Sequence, residues 1–385
     1  MIIVYVYPHF INYGGTERVL IDKMNYFASQ EGYDVYALTH EQGNYPMAYS
    51  LSHQVKHIDL GLQYSSLFEL NSFVRFYKGR RFDKILKKRY NDFIQSLRPD
   101  IVIATTYFSN LISIVGSCSV PYVRILESHI DKRYILNNDP LNRKSILRWL
   151  HTSCLMKLIT RSACHFDLLV ALNDEDMKDW AEYVKTIMIP NVVHLNPTGQ
   201  ISDNKSKRII FVGRYTEQKG IDDLFKVWQL VYQKHPDWQL HLYGEGHLLG
   251  QLLYEAKRLN INIEVHKPCE NIFIKYVESS ILLLTSVFEP FGLVLVEAMS
   301  CGLPVVAFDC PYGPQRIIED RKIGFLISNR DISLYAEKVC ELIESYELRK
   351  KMGKAAIVSS QRYSFDRIMP LWKNLFDELL KDSVL

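Results

Sequence analysis

Short runs of β-branched and other apolar residues alternate along the chain with longer segments in which apolar residues recur every three to four positions. That pattern predicts parallel strands covered on both faces by helices. In the first half the strand candidates are Ile2–Tyr7, Asp34–Thr39, Val55–Leu60, Asp100–Ala104, Tyr122–Leu126 and Leu168–Leu172. Thr16–Ala28 places Leu20, Met24 and Phe27 on one helical face, and Phe82–Leu97 does the same with Phe82, Leu86, Tyr90, Phe93 and Leu97. The stretch 191–207 is polar, aperiodic and contains Pro and Gly, so it is expected to be a linker after a first domain of residues 1–190. The alternation then restarts over 208–364. Its strands are Arg208–Val212, Trp238–Tyr243, Ile263–His266, Ile281–Thr285, Pro304–Phe308 and Gly324–Ile327, and its helices Ile221–Gln233, His247–Leu259, Gly292–Met299 and Ile332–Ser345. A last amphipathic helix within 365–385 is expected to cross back onto the first domain. The expected fold class is α/β, with two Rossmann-like doubly wound domains facing a cleft between the carboxyl ends of their sheets.

Composition narrows the functional classes. The chain has 385 residues, 48% hydrophobic and 23% charged, enough for two cores and unlike a disordered or low-complexity chain. Its seven cysteines are scattered, with no Cys-x-x-Cys pair, so neither a disulfide framework nor a zinc knuckle is suggested and a reducing cytosol is the expected setting. The opening MIIVYVY lacks a basic flank and a small-residue cleavage site, and reads as a buried strand. No run of about 18 apolar residues spans a bilayer. The net charge of +3 gives no reason to expect nucleic acid as a partner. Residues 191–385 hold 24 charges of each sign, so the excess belongs to the first half, where residues 75–98 carry nine Lys and Arg against Asp83 and Asp92.

Two strand-to-helix junctions in the second half carry candidate chemistry. In Ser286–Met299 (SVFEPFGLVLVEAM), Gly292 lets a ligand approach the backbone, and the first-turn amides of Gly292 to Val294, next to Phe291, suit a diphosphate. Glu297, one turn beyond Leu293, can accept hydrogen bonds from the vicinal hydroxyls of a ribose. Glu289 stands on the loop rim, where a sugar on the far phosphate would hang. A plainer reading makes Glu297 a solvated helix residue and Glu289 a partner of the positive helix end. The second junction, Phe211–Gly220 (FVGRYTEQKG), adds Arg214 as a planar fork and Lys219 as a point charge, a pair suited to a departing diphosphate.

With these motifs the chain resembles, over nearly its whole length, the retaining GT-B glycosyltransferases of glycosyltransferase family 4. The matching segments are Gly14-Gly15-Thr16-Glu17-Arg18, Gly213-Arg214 with Lys219-Gly220, Tyr243-Gly244-Glu245-Gly246, the Glu289-x7-Glu297 pair and Gly302-Leu303-Pro304-Val305-Val306. The resemblance implies that Arg214 and Lys219 bind the donor diphosphate, Glu297 the ribose and Glu289 the transferred sugar. It also implies that the Gly14-Gly15 loop lies against the reaction centre and that His129 touches the sugar. Glu127, two residues before His129, departs from the usual pattern and has no assigned role.

The implied reaction retains anomeric configuration through an oxocarbenium-like transition state, with Arg214, Lys219 and the helix N-terminus meeting the leaving-group charge. Front-face attack by the acceptor and a short-lived covalent intermediate both stay open, the former being preferred. No metal and no cofactor beyond a sugar-nucleotide cosubstrate is expected. The Asp174-Glu175-Asp176 triplet reads as the first turn of a helix capped by Asn173 rather than as a metal motif. His53 and His57 fall on a predicted strand and would not share a helix face. No G-x-G-x-x-G follows the first strand, which disfavours a nicotinamide enzyme, and a paired-carboxylate hydrolase would leave the cations idle. A GT-B sugar-nucleotide epimerase and a non-catalytic glycan- or nucleotide-binding partner of a polysaccharide-synthesis complex are the alternatives.

Pro311-Tyr312-Gly313-Pro314 resembles a loop of relatives that transfer galactose, glucose or their N-acetylated forms from UDP in bacterial surface polysaccharide assembly, of capsule or lipopolysaccharide type. Its plain reading is a tight turn. A polyprenyl-diphosphate-linked saccharide acceptor would place the protein on the inner face of the cytoplasmic membrane, with the basic segment 75–98 as its contact.

Overall fold

The computed structural model describes residues 1–64, 72–106, 109–129, 156–269 and 271–382, excluding the side chains of 72–76, 109 and 382. Arg75, the first cation of the basic segment 75–98, and Cys154, one of the seven cysteines, therefore lie outside the described side chains. The chain divides into two compact units, Met1–Val192 with Met369–Leu385, and Val193–Ile368.

The first unit is built on a seven-stranded sheet of β1 (Ile2–Val6), β2 (Asp34–Thr39), β3 (Lys56–Asp59), β4 (Ile101–Thr105), β5 (Val123–Glu127), β6 (Leu168–Ala171) and β7 (Thr186–Met188). The strand order is β3-β2-β1-β4-β5-β6-β7, with every pair parallel. The strand order reverses between β1 and β4. Central strands read as continuous apolar runs because helices cover both faces: all five residues of β4 are buried. The helix Ser72–Leu97 lays Leu86, Tyr90 and Ile94 into the core, while Lys78, Arg80, Arg81, Lys84, Lys87, Lys88 and Arg89 are exposed. It begins ten residues before the periodic stretch that predicted it. Phe376, from the final helix Phe365–Asp382, packs on Phe27 at 5.1 Å, so this end of the chain completes the first unit's core.

The second unit repeats the plan with β8 (Arg208–Val212), β9 (Gln239–Tyr243), β10 (Ile263–His266), β11 (Ile281–Leu284), β12 (Val305–Phe308) and β13 (Gly324–Ile327). Their order is β10-β9-β8-β11-β12-β13, again all parallel, and the reversal falls between β8 and β11. Its core gathers Phe211, Trp228, Leu240, Leu283, Phe308 and Tyr335.

The stretch expected to be a linker is mostly docked onto the second unit. Ser202 donates its hydroxyl to the Ser279 carbonyl at 2.5 Å, and its amide to Cys301 O at 2.8 Å. Asn204 is buried, its amide nitrogen 3.1 Å from Gly302 O, and the Arg349 guanidinium binds the Asn204 carbonyl at 2.9 and 3.1 Å. Polar, aperiodic sequence looks like a linker, but here side chains satisfy the backbone groups of an ordered strap.

Among the described residues, no helix is long and apolar enough to cross a membrane. The acidic triplet forms the first turn of a helix capped by Asn173: Asn173 Oδ1 accepts the Asp176 amide at 2.8 Å, and Asp176 Oδ1 accepts Trp180 Nε1–H at 3.0 Å. His57 lies in β3, 2.9 Å from the Thr39 hydroxyl.

Candidate active site

In open parallel sheets the carboxyl ends of the strands at the order reversal leave a crevice, because their loops leave towards opposite faces. In the second unit the loops after β8 and β11 stand at that reversal. The first passes through Arg214 to a short 3-10 turn at Glu217–Lys219, then to Gly220, which heads the helix Ile221–Lys234. Gly220 has φ +63°, and a Cβ there would sit 2.1 Å from the Thr285 carbonyl oxygen, so only glycine lets the two loops touch. Further bonds lock them together. Val287 N–H donates to Gln218 O at 2.8 Å, Gln218 Nε2 to Phe288 O at 3.1 Å, and the Thr285 hydroxyl to Lys219 O at 2.9 Å. Arg330 braces the second loop, reaching the carbonyls of Thr285 (3.0 Å) and Ser286 (2.9 Å).

This framework sets Lys219 Nζ 2.5 Å from Glu289 Oε2, with both side chains about nine-tenths buried. The same carboxylate oxygen accepts the Ser286 hydroxyl at 3.1 Å. Burial pushes the nearby Cys310 thiol up to about 12, with the Glu289 charge adding to the effect, so it stays protonated. Arg214 is exposed, with its Nη2 3.5 Å from Gln218 Oε1. The cation and carboxylate that the sequence assigned to one donor are thus adjacent, on two loops 70 residues apart.

Gly292 heads the helix Leu293–Ser300 in the left-handed region (φ +99°, ψ +57°), which turns the chain sharply after buried Phe291. Glu297 is half-buried in that helix, and its Oε2 accepts Tyr276 Oη–H at 3.1 Å. Burial, reinforced by the Glu297 charge, raises the Tyr276 phenol well above its ordinary value, so Tyr276 remains a donor that orients the carboxylate. The Pro311–Pro314 turn returns to the site: Gly313 N–H donates to Glu289 O at 2.8 Å.

In the first unit the corresponding reversal lies between β1 and β4. Gly14 caps the helix Gly15–Ala28 at the end of the β1 loop. A Cβ on Gly14 would meet the Glu17 carboxylate at 2.1 Å, and Glu17 in turn accepts the Tyr7 hydroxyl at 3.2 Å. His129 follows β5 and is buried, with its amide 3.2 Å from Thr106 Oγ1. Its ring is held by a group that sequence left without a role. His129 Nε2 lies 3.0 Å from Glu127 Oε2, and the same oxygen receives Lys23 Nζ. Lys23 stands 4.3 Å from the centre of the Trp372 ring. Burial drives the Glu127 carboxyl up, but Lys23 and His129 outweigh it and the group is held below its usual range. Burial lowers Lys23, partly offset by Glu127. Each unit therefore presents a buried ionic cluster: Lys219 with Glu289 at the order reversal of the second, and Lys23, Glu127 and His129 at the carboxyl end of β5 in the first.

Residues 196–358 match the family model for glycosyl transferases group 1. Over 374 residues, 94% of this chain and 96% of the relative, the protein is 29% identical to an uncharacterized glycosyltransferase of Haemophilus influenzae. Structural comparison aligns 97% of the chain with 99% of Staphylococcus aureus TarM, determined with fondaparinux, alpha-GlcNAc-glycerol and UDP, at a TM-score of 0.78 and 17% identity. The chain has the two-domain α/β fold of the GT-B glycosyltransferases. A shorter match joins this GT-B chain to the amylovoran biosynthesis glycosyltransferase AmsD of Erwinia amylovora, at 31% identity over 185 residues, spanning 48% of this chain and 52% of AmsD. The group 1 match includes both second-unit loops described above.

Proposed function

We propose that this GT-B protein is a retaining glycosyltransferase that moves a hexose or N-acetylhexosamine, of galactose, glucose or GalNAc type, from a UDP-sugar to a saccharide acceptor in bacterial surface polysaccharide assembly. The observation that carries the reading is the Lys219–Glu289 pair held between two strand-to-helix loops at a sheet reversal. TarM, seen with UDP, and AmsD, named for amylovoran biosynthesis, support the donor class and the pathway type.

The donor diphosphate lies on the amides opening the helix Leu293–Ser300, with Phe291, Gly292 and Leu293 shaping the approach and Arg214 and Lys219 neutralising its charge. Glu297 takes the ribose hydroxyls, and Glu289 a hydroxyl of the sugar. His129, Gly14 and Gly15 keep the roles at the sugar that the family resemblance gives them. The acceptor hydroxyl attacks the anomeric carbon from the face of the leaving group. The bond from that carbon to the phosphate oxygen breaks, its electron pair stays on the diphosphate, and the acceptor proton passes to a phosphate oxygen. Arg214 and Lys219 supply the positive charge the leaving group needs, so the step requires no metal.

A nucleotide-release screen across UDP-, GDP- and ADP-sugars tests the donor. We expect UDP-sugars to be turned over in the presence of acceptor at least tenfold faster than the other two. Preference for GDP- or ADP-sugars would overturn the donor assignment, and interconversion of sugar nucleotides without acceptor would favour an epimerase.

The acceptor is lipid-linked in this reading, and the exposed cations of Ser72–Leu97 hold the protein on the anionic inner face of the cytoplasmic membrane. Each is worth about 1 kcal/mol near such a surface. Replacing Lys84, Lys87 and Lys88 by glutamine should reduce co-sedimentation with vesicles containing anionic lipid by tenfold or more, and leave the weaker association with neutral vesicles unchanged. Equal sedimentation of variant and parent would sink this surface.

A further inference from the structure

At the edge of the second sheet, β9 and β10 pair with Glu264 opposite His241 and His266 opposite Tyr243. In parallel register these four side chains share one face of the sheet. His241 Nδ1 and His266 Nε2 are 3.1 Å apart, and Glu264 Oε2 is 3.6 Å from each. Three donors around a tetrahedral zinc ion, with bonds of about 2.0–2.2 Å, stand about 3.3 Å from one another. The His-His-Glu triangle is within about 0.3 Å of that spacing on every edge.

We propose that His241, Glu264 and His266 form a divalent transition-metal site of zinc class, distinct from the sugar-nucleotide site. The ligands are of the right chemistry: two imidazoles and a carboxylate are a usual zinc set, with a fourth position left to water. Exposure fits as well. The His241 side chain is 6% exposed, His266 33% and Glu264 51%, so the cluster is rooted in the sheet and open on one side for an ion to enter.

The surroundings prepare both imidazoles. His241 Nε2 lies 3.3 Å from Gln239 Oε1, an acceptor that keeps the proton on Nε2 and leaves the Nδ1 lone pair directed at the cluster. Tyr243 stacks on His266 at 4.5 Å and 15°, fixing the plane of the second ring. A metal here would tie edge strand β10 to β9. Through the His266 carbonyl, which accepts Tyr215 Oη–H at 3.0 Å, it would also steady the loop that carries Arg214 and Lys219.

The test uses the full chain, purified without a polyhistidine tag and stripped with chelator. After equilibrium dialysis against micromolar Zn²⁺, elemental analysis should find one zinc per chain. Replacement by Co²⁺ should give the visible absorption of a tetrahedral centre, and zinc should raise the Tm. Glu264→Gln and His266→Ala, both at partly exposed positions, should each weaken zinc binding at least tenfold while their metal-free Tm matches that of the metal-free parent. No stoichiometric zinc in the parent, or undiminished zinc in His266→Ala, would overturn the site.

Discussion

Replacing Lys219 by alanine should lower acceptor-dependent nucleotide release by roughly 10²–10³-fold, mostly in kcat, the range seen when one group that stabilises transition-state charge is removed. Burial sets the size of the effect. Lys219 Nζ lies against Glu289 in a site where both side chains are about nine-tenths shielded, so its charge is weakly screened and acts strongly on any phosphate placed beside it. Positive charge fixed in place before the reaction stabilises a leaving group without reorganisation. It gains most as the glycosidic bond breaks, and for that reason kcat should fall more than donor KM rises.

The same burial creates a confounding effect, because truncating one partner of a buried pair typically costs about 3–5 kcal/mol of stability. Among the described residues, that Glu289 oxygen would keep the Ser286 hydroxyl as its partner. The double variant Lys219→Met with Glu289→Gln removes both charges and should melt nearer the parent than Lys219→Ala does, yet remain inactive. Normal turnover in folded Lys219→Ala would remove the basis for the proposed donor site.

Much of this site was legible in the sequence because its parts are local. Gly213-Arg214, Lys219-Gly220 and Glu289-Pro290-Phe291-Gly292 each sit within one strand-to-helix junction, where a glycine with positive φ or a first-turn amide announces itself over a few residues. Pairing Lys219 with Glu289 needed the sheet order, which places β8 beside β11. Lys23 was missed for a related reason: its partner Glu127 is 104 residues away, joined only through the order of β1, β4 and β5. A signal existed, since Lys23 falls three residues after Leu20 and four before Phe27, on the apolar face of its helix. A lysine there must find a buried counter-charge.

The fold divides along the same line. Strands buried on both faces were read within a residue or two. Edge strand β7, three half-buried residues long, left too little pattern to see. The helix Tyr346–Ser360 also escaped, because it packs through small residues: a Cβ on Gly353 would meet the Gly302 carbonyl oxygen at 2.1 Å. The strap 193–207 hid its order in side-chain bonds to distant backbone, which no local period reveals.

In the Lys23–Glu127–His129 cluster one carboxylate both balances a buried ammonium and orients an imidazole. Glu127 Oε2 is placed to accept His129 Nε2–H, which leaves Nδ1 as the ring atom able to take a hydrogen bond from a sugar hydroxyl. Lys23 keeps that carboxylate ionised, and the Trp372 face shelters the ammonium. Glu127→Gln should strand Lys23 in a site where its side chain is 2% exposed, at a cost of about 3–5 kcal/mol. Adding Lys23→Met should recover most of that loss, because the remaining amide and thioether carry no charge to desolvate. Activity should not return with stability. Without the carboxylate the imidazole loses its strongest orienting partner, and we expect kcat to stay roughly 10–100-fold below the parent, a loss of about 1.4–2.7 kcal/mol in transition-state stabilisation. Nitrogen NMR of the His129 ring gives a readout that a purely structural role would not move: the proton should sit on Nε2 in the parent and be shared between both nitrogens in the double variant. Full activity in a folded double variant, or an unchanged ring tautomer, would show that Glu127 supports the core and does not position the histidine.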